Sequence, residues 1–420
     1  MFFKKKPIDF ESETLSQQTW RRFKRNKLSV LGLIIIILSC IISILGYLIT
    51  PDPTPFANDQ KPELHIKQPG FKSKILLVKK NEALEKQNFL SVMIFGKNDP
   101  YSGFTIYNYF FKKQFILVEE YTGNSENNKG SISKINLANV VYAIDSKSPI
   151  MYDSLLNQLS FYEIGNSTKI TKSILELQQQ IRKENIVTKK YILGTDLLGR
   201  DLLSRLLIGT RISLSVGLVS VIISIFIGIL LGAIAGYYRG KIDSLIMWLI
   251  NVVWSIPTLL LVIAITLVLG KGIMQVFIAV GLTMWVDVAR IVRGQILSIR
   301  EKEFVEAGRA LGFKNMRIIF GHILPNVMGP VVVMAASNFA FAILTEAGLS
   351  FLGIGAQPPV PSWGEMTNAH HGYILMDKAY LAFIPGVAIM TLVLAFMLVG
   401  NGLRDALDTR NLDDTPITGN

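Results

Sequence analysis

Six stretches of this chain are each apolar enough to cross a membrane. They run over about Leu28–Ile49, Ile212–Tyr237, Ser244–Leu269, Ile273–Ala289, Asn326–Leu349 and Tyr380–Asn401. A span of about 20 mostly apolar residues is what roughly 30 Å of hydrocarbon requires. With no water there to satisfy the backbone, such runs fold as helices. Composition agrees, since half of the 420 residues are hydrophobic, 18% are charged and the mean hydropathy is +0.39. A soluble domain carries roughly 25% charged residues. The single cysteine, Cys40, excludes an intrachain disulfide and a cysteine-based zinc or iron–sulfur site. Four histidines (His65, His322, His370, His371) leave little for a histidine metal cluster.

The net charge of +12 does not point to nucleic acid. Residues 1–27 carry +5, residues 51–190 carry another +5, and the rest of the chain only +2. No segment has the dense basic face interleaved with aromatics that a nucleic-acid surface needs. The basic residues instead set an orientation. Arg21, Arg22, Lys24, Arg25 and Lys27 abut the first span, which places the N-terminus in the cytoplasm. That span is too long for a secretory h-region and lacks a small-x-small cleavage site, so it reads as a retained anchor. Six spans return the C-terminus to the cytoplasm, together with the loop 290–325 and its seven Lys/Arg against three Glu. Arg200, Arg205 and Arg211 fall on the outer side in this scheme, but long translocated segments obey the rule weakly.

Residues 50–190 differ in kind. They hold no spanning run, and short apolar bursts (KILLVKK, FLSVMIFG, TIYNYFFKKQFILVEEY, NVVYAID) alternate with turn-prone GKNDP and TGNSENNKG. The bursts read as strands and SILELQQQIRKE as one helix. The expectation is an extracytoplasmic α+β domain inserted after the first helix. The remaining organisation is a cytoplasmic N-terminal segment (1–27), a first transmembrane helix (28–49), a five-helix core (191–410) containing the loop 290–325, and a cytoplasmic tail (411–420).

The loop between the fourth and fifth spans reads EFVEAGRALGFKNMRIIFGHILPN. Glu306-Ala307-Gly308 is followed after three residues by Gly312, and twelve residues later by Leu324-Pro325. This resembles the EAA motif of ATP-binding cassette importer permeases, with Gly308 in place of the third alanine and His322 in place of the usual isoleucine. A helix over Glu301–Leu311 is expected to end at Gly312, a residue suited to the left-handed cap. A second helical stretch follows, and Pro325 introduces the next span. The small residues Ala307, Gly308 and Ala310 would let this surface helix lie in a groove of another protein. Basic charge alone would equally describe a loop resting on anionic membrane lipid; the spacing separates the two.

Three further blocks, LGTDLLGRDLLSRLLIGTRISLSVGL, TEAGLSFLGIGAQPPVPSWGEM and GNGLRDALDTR, resemble the C-type permease subunit of dipeptide, oligopeptide and nickel importers. Asn401 and Thr409 depart from the usual Asp and Pro of the closing block. The resemblance covers about residues 191–410 and not the long 51–190 segment. It implies the type I ABC importer permease fold, an α-helical polytopic membrane protein of six transmembrane helices in the bacterial plasma membrane. It also implies a homologous B-type permease, two ABC ATPase subunits that bind ATP and Mg, and an extracytoplasmic solute-binding protein delivering a peptide substrate. The chain itself carries no phosphate loop and no evident Ser/His/Asp or Cys/His set, so it is expected to be non-catalytic and to bind no cofactor. Nickel, a metal chelate or glutathione are alternative cargoes. A receptor or scaffold with 51–190 as a sensing domain is the alternative of another class.

Several other residues invite roles. Asp287 in the fourth span is an intramembrane acid and so a candidate for the pathway, with a local ion pair to Arg290 at i+3 as the plainer expectation. Glu346 either faces the pathway or holds its helix to the partner permease. Pro257, after Trp254-Ser255-Ile256, is expected to kink the third span, either shaping the pathway or serving helix packing. His370 and His371 are adjacent and point about 100° apart on a helix, a poor chelating arrangement. Pro358-Pro359-Val360-Pro361-Ser362-Trp363 reads as a rigid outer loop, with Trp363 at the membrane interface, that would dock the binding protein.

Overall fold

The computed structural model describes residues 15–82, 87–124, 128–145, 148–165, 168–270 and 272–407. Most of the N-terminal segment, Lys271, Asp408 to Arg410 of the closing block with its Thr409, part of the TGNSENNKG turn and the 411–420 tail lie outside them. Two compact units are present, one of residues 44–208 and one of the rest.

The chain enters through α1 (Leu15–Arg25) and α2 (Lys27–Ile49). Asn26 separates them: its Oδ1 accepts the amides of Leu28 at 3.1 Å and Ser29 at 3.2 Å, capping two orphan donors of α2. Gly402, in the last helix, receives Ser29 so closely that an added Cβ would lie 2.0 Å from the Ser29 Oγ.

Residues 44–208 form two antiparallel sheets with short helices. In chain order the elements are β1 (Phe71–Lys79), α3 (Phe89–Phe95), β2 (Tyr101–Lys112), β3 (Phe115–Glu120), β4 (Ile132–Asn136), α4 (Leu137–Val141), β5 (Met151–Asp153), β6 (Gln158–Tyr162), β7 (Lys169–Ser173), α5 (Ile174–Gln180) and β8 (Ile186–Tyr191). The larger sheet has the order β4-β3-β2-β1-β8, so the last strand pairs with the first, Ile75 opposite Val187. The smaller is β5-β6-β7. Leu76, Ile106, Ile116 and Val118 of the large sheet meet Leu137, Val140, Leu159, Phe161, Leu177 and Ile181 in one core.

Two bursts expected as strands are helical. FLSVMIF is α3, which Gly96 ends at a φ of +87° with its amide on the Val92 carbonyl. Leu137–Val141 of the NVVYAID region is α4, because the Asn136 side chain accepts the Ala138 amide and starts a turn that buries both valines. An uninterrupted apolar run fits a strand or a buried helical turn equally, and the flanking cap decides. SILELQQQ is helical as expected, with the Ser173 Oγ accepting the Glu176 amide at 3.2 Å.

The other unit is helical: α6 (Leu202–Tyr238), α7 (Gly240–Trp254), α8 (Thr258–Leu269), α9 (Ile273–Ile299), α10 (Glu303–Ala310), α11 (Asn315–Ile318), α12 (Leu324–Phe351), α13 (Trp363–His370) and α14 (Tyr380–Leu407). Among the described residues five helices are long and apolar enough to cross a membrane, or six if α7 and α8 count as one span. α6 lies on α9 through Gly228, Gly232 and Gly236. Added Cβ atoms there would approach Val288 to 2.5 Å, the Ala289 carbonyl to 2.6 Å and the Arg293 carbonyl to 3.0 Å. Without a hydrophobic drive between helices in lipid, small residues that admit a neighbouring backbone supply the packing.

Three spans differ from expectation. The third is not kinked but broken, α7 and α8 meeting at 91° around Pro257; Pro257 has no amide to continue the ladder and its carbonyl instead opens α8 by accepting from Leu261. The fourth runs ten residues past Ala289, because Val292 and Ile296 stay buried beyond the polar Asp287 and Arg290. Pro325 does not introduce the fifth span. Helix begins at Asn315 and passes through a π turn at Ile319–Ile323 into α12. The wider turn directly before Pro325 relieves the clash its ring would make with the carbonyl four residues earlier.

Candidate functional site

The Glu306 loop is built from α10, a tight turn and α11. α10 ends as expected at Gly312, which adopts a φ of +75°. The Gly312 amide donates to the Arg309 carbonyl at 2.9 Å and the Phe313 amide to the Gly308 carbonyl at 3.0 Å. Those two bonds are a Schellman cap, which only a residue tolerant of the left-handed region closes cheaply. Val305 and Gly308 face inward and pack with Ile318, Ile319, Ile323, Val292 and Ile296. Glu306, Ala307 and Ala310 face outward. Of the three small residues expected on the docking face, Gly308 is therefore on the opposite one.

Phe304, Leu311, Met316 and Phe320 of the same loop are exposed as well. Four large apolar side chains left exposed in one short loop suit a contact surface. His322 is half-buried and stacks on Phe313, centroids 5.8 Å apart, while the Arg317 guanidinium lies 4.1 Å over the same ring. Leu324 is half-buried and Pro325 exposed.

Sequence reasoning missed what fixes this loop to the helices. The Tyr237 hydroxyl, in the last turn of α6, bonds the Asn315 Oδ1 at 2.8 Å, and the Arg300 guanidinium donates to the Tyr237 carbonyl. Arg239 donates to Glu301 at 2.5 Å and holds its carboxyl below the usual range. The Arg300 guanidinium is lowered, first by burial and then by Arg239 and Arg309. Only the Tyr-Tyr-Arg run that ends the second span carries a hint of this in the sequence.

A cavity of about 400 Å³ opens at the break between α7 and α8, lined by Trp254, Ile256, Thr258, Asp287, Asn338 and Met397. Asp287 is exposed within this lining. The ion pair expected between Asp287 and Arg290 is absent among the described residues. Arg290 turns to α7, its Nη2 donating to Asn251 Oδ1 at 3.0 Å and its guanidinium lying 3.8 Å above the Trp254 ring. Stacking on indole and an amide acceptor outcompete the local carboxylate once α7 brings both within reach. One turn on, Arg293 clamps Asp243 with bonds of 2.6 and 2.7 Å. The Asn338 amide nitrogen is buried on the cavity side of α12 with no partner among the described residues. Pro257 lies at the break itself.

Glu346, expected either to face the pathway or to hold its helix to the partner permease, is internal to this chain. It is 1% exposed, and its Oε1 accepts the Ser350 hydroxyl at 2.6 Å, while Ser350 Oγ accepts the Ala356 amide at 3.0 Å. The carboxylate thus fastens the turn that follows its own helix. Trp363 is also internal rather than interfacial, 4% exposed, lying so close to α6 that a Cβ at Gly209 would be 2.8 Å from its ring. Pro359, joined to Pro358 by a cis peptide, is exposed, and Pro361 is buried. The Nδ1 atoms of His370 and His371 sit 2.6 Å from the Met366 and Asn368 carbonyls. No group of three His, Cys, Asp or Glu assembles a metal site among the described residues.

The GTDLLGRD block resolves another conflict. Asp196 is fully buried, its Oδ2 2.6 Å from Arg200 Nε and 3.5 Å from Arg205 Nε. Two arginines that cut against the expected orientation are thus compensated internally. Beside them the Asp201 carboxyl accepts Ser204 Oγ at 2.6 Å, and burial pushes its pKa up. Burial and the nearby Asp59, Asp201 and Asp52 carboxylates raise the Tyr191 hydroxyl as well.

Residues 228–412 match the family described as binding-protein-dependent transport system inner membrane component. Residues 14–69 match the N-terminal transmembrane domain of oligopeptide transport permease C. A glutathione transport system permease protein of Pectobacterium atrosepticum is 43% identical over 218 residues, 52% of this chain and 72% of that protein. A dipeptide transport system permease protein of Alkalihalophilus pseudofirmus is 43% identical over 217 residues, 52% and 71%. A chain of the methionine ABC transporter in an inward facing conformation superposes with a TM-score of 0.42 at 19% identity, covering 49% of this chain and 98% of that one.

Proposed function

The chain belongs to the inner membrane components of binding-protein-dependent transport systems, and we propose on that footing that it forms half of the translocation pathway of an ATP-driven importer for short peptides. It is a multi-pass, non-catalytic permease subunit of the ABC importer class; hydrolysis resides in separate ATPase subunits. Both relatives above are named for peptide cargo, and glutathione is itself a tripeptide, so a peptide reading accommodates both.

The observation that carries the mechanism is the outward face of α10. Glu306, Ala307 and Ala310 are presented with Phe304 and Leu311 while Val305 and the Gly312 cap hold the segment against α6, α9 and α11. A face this exposed on a base this fixed transmits a push from a partner as rigid displacement rather than as local bending. The partner that fits is an ATPase subunit, which binds ATP and Mg and drives alternating access through this loop. In this reading both termini are cytoplasmic, the membrane is the bacterial plasma membrane, and residues 50–190 lie outside. A B-type permease would complete the pathway and a solute-binding protein deliver the peptide. The cavity at Pro257 and Asp287 would line the route.

The test is to purify the tagged chain in mild detergent and identify by mass spectrometry what accompanies it. Two ATPases and a second permease are expected. Repeated recovery of the chain alone, even after crosslinking, would overturn the transporter assembly in favour of a receptor.

A further inference from the structure

The large sheet of residues 44–208 has two faces with different fates. Leu76 and Ile106 point into the hydrophobic core, while their neighbours along the strands, Ile75, Leu77, Gly103, Val187 and Lys189, lie on the opposite face, which carries a second cavity of about 500 Å³. The strand register places Leu77 opposite Gly103, Ile75 opposite Val187 and Ser73 opposite Lys189, so the floor is continuous across β2, β1 and β8. The segment from Thr54 to Lys61 forms one wall, and Lys80, Asp99 and Tyr101 another.

The chemistry of the lining is mixed in a specific way. Ile75, Leu77 and Val187 give an apolar floor. Three ammonium groups (Lys61, Lys80, Lys189) face two carboxylates (Asp59, Asp99), leaving one positive charge in excess. Lys61 is only 3% exposed, with its Nζ 2.5 Å from Asp59 Oδ2, and Lys189 reaches the same oxygen at 4.0 Å. Lys80 has no ion pair among the described residues. Gly103 makes room for this arrangement: a Cβ there would stand 3.3 Å from the Lys61 Nζ and 3.1 Å from Ile75. On the same face, in register with Ile75, the buried Thr105 hydroxyl has no partner among the described residues. Asp59 compensates the buried Lys61, which leaves the Lys80 ammonium and the Thr105 hydroxyl as polar groups of this face without a partner among the described residues.

We propose that this cleft is a binding site for the carboxylate end of a short peptide, the terminal carboxylate lying against Lys189 and Lys80 and an apolar side chain on Ile75, Leu77 and Val187. A cavity of this size is in the range that small ligands fill. The proposal rests on the peptide reading of the cargo, and gives residues 44–208 a substrate-capturing role that the helical unit does not supply.

The experiment measures binding of trileucine to the assembled full-length importer in lipid nanodiscs by calorimetry. Trileucine amide and octanoate are the comparison ligands, and Lys189→Gln and Gly103→Val the variants. Loss of one charge-assisted contact corresponds to about tenfold in affinity. The expected result is that trileucine binds, that the amide and Lys189→Gln each weaken binding about tenfold, and that Gly103→Val, which fills the floor without altering charge, abolishes it. Equal binding of acid and amide, equal binding of octanoate and trileucine, or undiminished binding by both variants would overturn the site. Uptake of radiolabelled trileucine into proteoliposomes is read separately. Uptake with no cleft-dependent binding removes the site and leaves the cargo reading standing. Cleft binding without uptake removes the cargo reading and leaves the site.

Discussion

The hydroxyl of Tyr237 and the side-chain oxygen of Asn315 lie 2.8 Å apart, joining the end of a 37-residue helix to the start of the helical segment that follows Gly312. This is a tie between a long membrane helix and the loop proposed to receive the ATPase. Tyr237→Phe keeps the ring, with its Arg309 stacking, and removes the bond, a loss of about 1 kcal/mol. Expected is peptide uptake that falls several-fold per ATP hydrolysed, with normal membrane insertion. Unchanged coupling in proteoliposomes would show the bond to be dispensable.

The cap of α10 sets a second expectation. Gly312→Pro cannot reach a φ of +75° and removes the amide that donates to Arg309. Glu306→Lys inverts the charge of the outward face. Both should abolish uptake while insertion and ATPase expression persist. Gly308→Ala should do the reverse: an added Cβ meets Phe313 at an ordinary 3.5 Å, and alanine favours the helix by about 1 kcal/mol. Wild-type uptake with equal or higher thermal stability is the result to look for.

Trp363 separates docking from packing. With the ring buried against Gly209, Trp363→Ala should cost about 3–5 kcal/mol of stability, and Gly209→Val should destabilise by collision with the same ring. Thermal melting of detergent-solubilised protein reads this. A variant that melts normally but loses affinity for the binding protein would return Trp363 to the surface role its sequence context suggested.

Asp201 makes one contribution to the pH dependence of residues 44–208. Burial raises its carboxyl in the folded state, so the folded form holds the proton more tightly than the unfolded one. Its contribution to stability is complete below the ordinary aspartate value of about 4 and declines as pH rises from there through the raised folded value. Asp201→Asn should flatten that part of the profile. Hydrogen exchange of β1 and β8 amides in the full-length protein between pH 4 and 7 is the measurement, and a profile identical in both proteins would contradict the assignment.

Much of the helical unit was legible because long apolar runs and the Glu306-to-Pro325 spacing are one-dimensional signals. Each helix satisfies its own backbone, so the pattern needs no knowledge of neighbours. The short apolar bursts were less legible. FLSVMIF and LANVV became helical turns because Asn136 and Gly96, rather than hydrophobicity, chose between two backbones of similar burial. Among the charged residues local spacing misled most. Asp287 and Arg290 stand at i+3, yet Trp254 and Asn251 of a different helix take the arginine.

By itself the sequence determined that the chain crosses a membrane, which loop carries the Gly312 cap, and which family it resembles, all properties of contiguous residues. Only the tertiary structure decided that Gly308 faces inward, that Glu346 pins its own turn, that Trp363 is buried, and that Lys61, Lys189 and Asp59 meet over one face of a sheet. Those outcomes depend on which side of an element meets a distant one. Burial and partner choice are set by whole helices and strands packing together, where a competing acceptor 39 residues away, as Asn251 is for Arg290, outweighs a carboxylate one turn along.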